Sequence, residues 1–153
     1  VVMGELARSL GMSKKTLYVH FPTKDAIWLA VMGWVESHLL SALDAVAAAA
    51  PTPLEGLRAV FMKHARFVAK HPGVPRLILN ELQKPRDTPV KRRARSMQES
   101  YRKLVVRLLA EAEKRGEIAA DRHAECVKLP FLPDVQIKNQ RIMHRAFLPR
   151  VKR

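Results

Sequence analysis

Residues 4–31, GELARSLGMSKKTLYVHFPTKDAIWLAV, decide how this chain is read. Met3, Leu6, Ala7 and Leu10 fall on one helical face, and Gly11 then offers the conformational freedom of a tight turn. Ser13 is placed to cap a second short helix, predicted from Lys14 to Phe21, because its hydroxyl can accept from the free amides of the first turn. Pro22 stops that helix. Thr23 is the next cap, Asp25 suits the positive end of the helix dipole, and a long helix is predicted from Lys24 to about Ala48. Its expected inward stripe is Ile27, Trp28, Val31, Val35, Leu39, Leu43 and Val46.

Two short helices joined at a glycine make a helix-turn-helix, whose second helix can enter a DNA major groove. Lys14, Lys15 and Thr16 open that helix, Tyr18 and His20 follow, and Leu17 and Phe21 face inward to fix its angle. A helical hairpin with merely solvated lysines would have the same outline, and Tyr18 alone would suit a half-buried core position.

With those residues in register, the segment resembles the DNA-binding segment of TetR-family transcriptional regulators, whose pattern xIAxxxGvsxxtlYxxFxxKexL runs from the reader into the next helix. Ala7, Gly11, Ser13, Tyr18, Phe21 and Lys24 carry the resemblance. It implies that Lys14, Lys15, Thr16 and His20 read or approach bases, that Tyr18 and Lys24 contact phosphate, and that Ser13 caps the reader and touches the backbone. Lys15 stands where glycine, proline or alanine is frequent in the family. The resemblance further implies a homodimer on double-stranded DNA bearing a near-palindromic operator, and a second domain that holds a small, apolar effector of unknown contacts. It also implies a helix ahead of Met3 and two long closing helices, neither of which the sequence offers.

Beyond Ala50-Pro51-Thr52-Pro53, a joint in which Thr52 and Glu55 form a capping box, a helix is predicted to about Lys70 with Leu57, Val60, Phe61, Ala65 and Val68 inward. His71-Pro72-Gly73 breaks it, and a shorter helix is predicted over Pro75 to Gln83. After the loop Lys84 to Thr88, Pro89 opens the most regular pattern in the chain: Val90, Ala94, Met97, Tyr101, Leu104, Leu108 and Ala112, ended by Gly116. That face suits core packing, with an effector wall or a dimer seam as alternatives. HPGVPRLILNEL and RGEI resemble the family's second domain more weakly.

The chain is therefore expected to be all-α: a helix-turn-helix reader with its connecting helix (1–50), a helical regulatory domain (51–121), and an atypical basic, proline-interrupted tail (122–153). Across 153 residues, 28 Lys+Arg against 14 Asp+Glu give +14, a balance that favours polyanionic partners. The excess lies wholly after residue 50, so charge alone does not locate the reader. Lys91, Arg92, Arg93 and Arg95 suit a solvated helix face, with phosphate contact as the alternative.

Cys126 is the only cysteine, which excludes an internal disulfide and fits the cytoplasm. His123 and Cys126 have metal-ligand spacing, but no second pair completes a site, so no metal is expected. The apolar run Ala26 to Val35 is too short for a bilayer span, and no signal sequence opens the chain. With no phosphate loop, nucleophile elbow or paired carboxylates, neither an enzyme nor a cofactor is expected. The resulting expectation is a ligand-responsive repressor. The alternative is a truncated interaction module that binds nucleic acid without sequence preference.

Overall fold

Four hydroxyls set helix starts in the computed structural model, which describes residues 7–8, 11 and 13–119. Ser13 Oγ accepts from Thr16 N at the head of α1 (Lys14–His20). Thr23 Oγ1 accepts from Ala26 N at the head of α2 (Lys24–Ala49). Thr52 Oγ1 accepts from Glu55 N at the head of α3 (Pro53–Lys70), and Thr88 Oγ1 from Lys91 N at the head of α5 (Pro89–Lys114). Each contact satisfies one of the amides that a helix leaves without an internal partner.

Between them lies α4 (Gly73–Gln83), which follows Pro72 without a side-chain cap. It starts two residues before the predicted Pro75. Proline is tolerated there because the amides of a first turn have no helical acceptor to lose. No strand occurs among the described residues, and the molecule is all-α as expected. Of the predicted opening helix only Ala7 and Arg8 are described, both helical; Met3, Leu6 and Leu10 lie outside the described residues, as does everything predicted for 120–153.

Helix α5 is the hub against which α2, α3 and α4 pack. Its buried residues include Val90, Ala94, Met97, Leu104, Leu108 and Ala112 from the predicted pattern, and Val105 and Leu109 widen the stripe. Tyr101 is half-buried against the same core. Gly116 closes the helix at φ +69°: its N–H bonds Glu113 O and the Glu117 N–H bonds Ala112 O, both at 2.9 Å. This paired closure requires a residue that accepts positive φ. Glu117 is thereby turned toward α3, where its Oε2 accepts from Leu54 N at 2.9 Å. A carboxylate at that helix start is favourable to the dipole.

Helix α2 is not uniform. It is α-helical over Lys24–Val35, passes through a π-turn at Glu36–Leu40, and resumes as α-helix over Ser41–Ala49. Ile27, Trp28, Val35, Leu39 and Leu43 are buried as expected, but Met32 and Ala47 take the inner positions predicted for Val31 and Val46, which are only half-buried. The run from Ala26 to Val35 is apolar nearly all round, so its periodicity could not choose a face. Across the crossing with α3, a Cβ on Gly56 would meet Ala47 O and Leu108 Cδ2 at 3.4 Å, which is why the helices approach so closely there. By length and a hydropathy of 1.4, Lys24–Ala49 could cross a membrane, whereas the shorter run read in the sequence could not. A core helix passes the same test, and this one contributes to the continuous core that reaches from Ala7 to Leu109.

Two predictions about exposure are corrected. Along α3, Leu57 and Val60 are buried, but Phe61 and Val68 are only half-buried and Ala65 is exposed. In the basic group, Lys91 is buried and its ammonium donates to the Lys84 carbonyl, because α4 and α5 close over it. Beside it, Glu81 is 3% exposed and accepts from Lys84 Nζ at 2.6 and 2.7 Å. The other three cations pair with carboxylates: Arg92 and Arg95 with Asp87 at 3.0 and 3.1 Å, and Arg93 with Glu36 of the π-turn.

Candidate nucleic-acid interface

The candidate surface is built on a helix of seven residues, too short to persist by itself in water. Tertiary anchoring therefore decides its position. Gly11 supplies the preceding turn at φ +65°, with its N–H bonded to Arg8 O at 3.1 Å. Ser13 follows in extended backbone and caps the first turn, its Oγ accepting from Thr16 N at 3.0 Å. The two hydroxyls of Ser13 and Thr16 also bond each other at 2.8 Å. Leu17, 1% exposed, is the only buried residue of α1, and Phe21 packs beside it at the exit.

At 3.6 residues per turn, Lys15 and Val19 stand most directly opposite Leu17. Thr16 and His20 fall on one flank, Lys14 and Tyr18 on the other. All are exposed, Tyr18 to 39% and Val19 to 75%. With Ser13 they form one continuous outer surface that contains no carboxylate. Two lysines in the first turn work against the dipole of their own helix, a local cost that a bound anion would relieve.

Lys24 begins the next helix, just beyond the Thr23 cap, and is likewise exposed. Its Nζ lies 6.0 Å from the centroid of the Trp28 ring, one turn along. Trp28 is 4% exposed, and its Nε1 finds no acceptor among the described residues. An unpaired buried donor costs stability, and nothing in the structure explains its retention.

The structure thus brings Ser13, Lys14, Lys15, Thr16, Tyr18 and His20 onto one surface and places Lys24 at the next helix start. Sequence reasoning named all seven but passed over Val19, whose apolar character hid its outward position. The signal was available, since Val19 lies two residues from Leu17 and so nearly opposite it. It also missed the Lys24–Trp28 contact, although the i,i+4 spacing announces one.

Residues 1–31 match the family model described as bacterial regulatory proteins, tetR family. Its N-terminal segment is thus similar to tetR-family regulatory proteins. The match ends within α2, and the longer similarities extend beyond it. The nucleoid occlusion factor SlmA of Vibrio vulnificus (strain YJ016) is 27% identical over 78 residues, which cover 51% of this chain and 40% of that protein. The protein of the same name from Vibrio atlanticus (strain LGP32) is 28% identical over 74 residues, 48% of this chain and 38% of that protein. That of Idiomarina loihiensis is 26% identical over 81 residues, 53% and 41% respectively. The matched part thus spans about two fifths of these tetR-family relatives.

Proposed function

We propose that this chain is a sequence-specific DNA-binding transcriptional regulator of the cytoplasm, working as a homodimer on a near-palindromic operator and repressing until a small apolar effector releases it. The observation that carries the reading is the outer face of α1: a short helix, fixed by Leu17 and capped by Ser13, with Lys14, Lys15, Thr16, Tyr18 and His20 exposed and no acid among them. Lys15 and Thr16 would approach base edges at the floor of the groove with His20 beside them. Val19 would suit a thymine methyl. Tyr18, Lys14 and Lys24 would grip phosphate on the flanks, Ser13 would touch the backbone, and these contacts would set register rather than sequence preference.

Effector response is suggested by one polar pair between α3 and α5. His64 Nδ1 of α3 and the Tyr101 hydroxyl of α5 are 3.1 Å apart and half-buried. Burial holds the imidazole below its ordinary value and pushes the phenol up to about 12, so both are neutral at pH 7 and can orient a ligand by hydrogen bonding without charge.

The test is fluorescence anisotropy of the protein with a duplex from the region upstream of its own gene and with a scrambled duplex, across a salt series. The reading expects the native duplex to win by about a hundredfold, roughly 3 kcal/mol, and to stay bound at moderate salt. Equal binding that collapses as salt rises would leave only the second reading, sequence-blind attraction of a chain with net charge +14.

A further inference from the structure

Helix α3 carries more apolar surface than its core contacts use. Gly56, Leu57 and Val60 are buried, whereas the flank of the helix beside Leu57 carries further apolar side chains that are only half-buried or exposed. Leu54, Phe61, Ala65 and Val68 form one row of that flank; Arg58, Met62, Arg66 and Lys70, four residues apart in turn, form the row beside it. Leu54, Phe61 and Val68 are half-buried without joining the core, and Met62 is 43% exposed. The basic row is unpaired: no carboxylate among the described residues bonds Arg58, Arg66 or Lys70. On α5, by contrast, Arg92, Arg93, Arg95, Arg102 and Arg107 each have a carboxylate within 4.0 Å.

We propose that this face of α3 docks an amphipathic, acidic helix of a partner protein, which lays an apolar stripe along Leu54, Phe61, Ala65 and Val68 and sets carboxylates against Arg58, Arg66 and Lys70. From Leu54 to Ala69 the face is about 22 Å long, or four helical turns, a length typical of helix-in-groove recognition. Charge selects this occupant over the two nearer ones. A second copy pairing α3 with α3 would bring the two unpaired basic rows together. The chain's own residues 120–153 hold eight Lys+Arg against three Asp+Glu and would add cations to cations. Partly exposed apolar surface rimmed by charge is the usual character of a binding patch.

The experiment uses the full chain and two fluorescein-labelled helical peptides of about eighteen residues, sharing one leucine stripe and flanked by glutamates in the first and lysines in the second. Anisotropy is expected to show binding of the glutamate peptide alone. Met62→Asp and Arg66→Glu, both at exposed positions where the fold tolerates change, are each expected to weaken it about tenfold. Arg86→Glu, in the loop before α5, is expected to leave it unchanged, and saturating duplex DNA is expected not to displace it. Four results would overturn the proposal: equal binding of both peptides, no effect of Met62→Asp, displacement of the peptide by duplex, or a dimer in sedimentation that Met62→Asp dissolves.

Discussion

Helices α1 and α5 meet opposite requirements. Of its seven residues α1 buries one, Leu17; of its 26 residues α5 buries nine. The first leaves its other side chains exposed and depends on a single anchor and a cap, while the second commits its surface to holding α2, α3 and α4 together. On the proposed reading, function and stability are carried by different residues, and damage to one region should be separable from damage to the other.

The strongest test of that separation lies in the core. Leu43→Ala, at a fully buried position of α2, is expected to cost about 3 kcal/mol and to lower the denaturant midpoint of the whole chain. Leu17→Ala removes a side chain just as buried, but from the end of the core. It should strip hydrogen-exchange protection from α1 and weaken duplex binding, with a change of less than about 1 kcal/mol in the midpoint of the bundle. If the two variants lower that midpoint equally, α1 and the bundle unfold as one unit and the contrast between them is wrong.

Smaller effects sharpen the bundle side. Because burial lowers the His64 pKa, the native state binds fewer protons than the unfolded chain, so stability should fall as pH drops through the ordinary value of 6.5 and be flat above it. Urea denaturation between pH 5 and 8 should show this fall diminished in His64→Leu; an unchanged slope would place the titration elsewhere. Asp87→Asn, which weakens the pairing of both Arg92 and Arg95 at exposed sites, should change stability by less than about 1 kcal/mol. A larger loss in denaturant titration would mean that the loop before α5 contributes more to the bundle than its exposure suggests.

Much of the fold was legible because its boundaries are written locally. Ser13, Thr23, Thr52 and Thr88 all cap helices, and Gly11 and Gly116 both take the positive φ that their turns require. The features that escaped are those that depend on distant residues. The π-turn at Glu36–Leu40 has no sequence signature, and its partner Arg93 is 57 residues from Glu36. Lys91 and Glu81 are buried only because α4 closes against α5. On α3 the apolar arc is wider than the core it serves, so periodicity identified Phe61, Ala65 and Val68 as inward when they lie on the edge of the buried stripe, half-buried or exposed. In the candidate interface the residue types were readable, but the bond between the Thr16 and Ser13 hydroxyls was not. It leaves Thr16 with less capacity to bond a base than a free threonine has.

The central claim is that the outer face of α1 reads sequence. Its most direct test is the ratio of affinities for the upstream and scrambled duplexes, measured for the wild type and for the combined Lys14→Ala, Thr16→Ala and Tyr18→Ala variant, with helicity followed by circular dichroism. The account predicts a wild-type ratio of about a hundred that falls to about one in the variant at unchanged helicity. A variant that keeps its preference for the upstream duplex would contradict it.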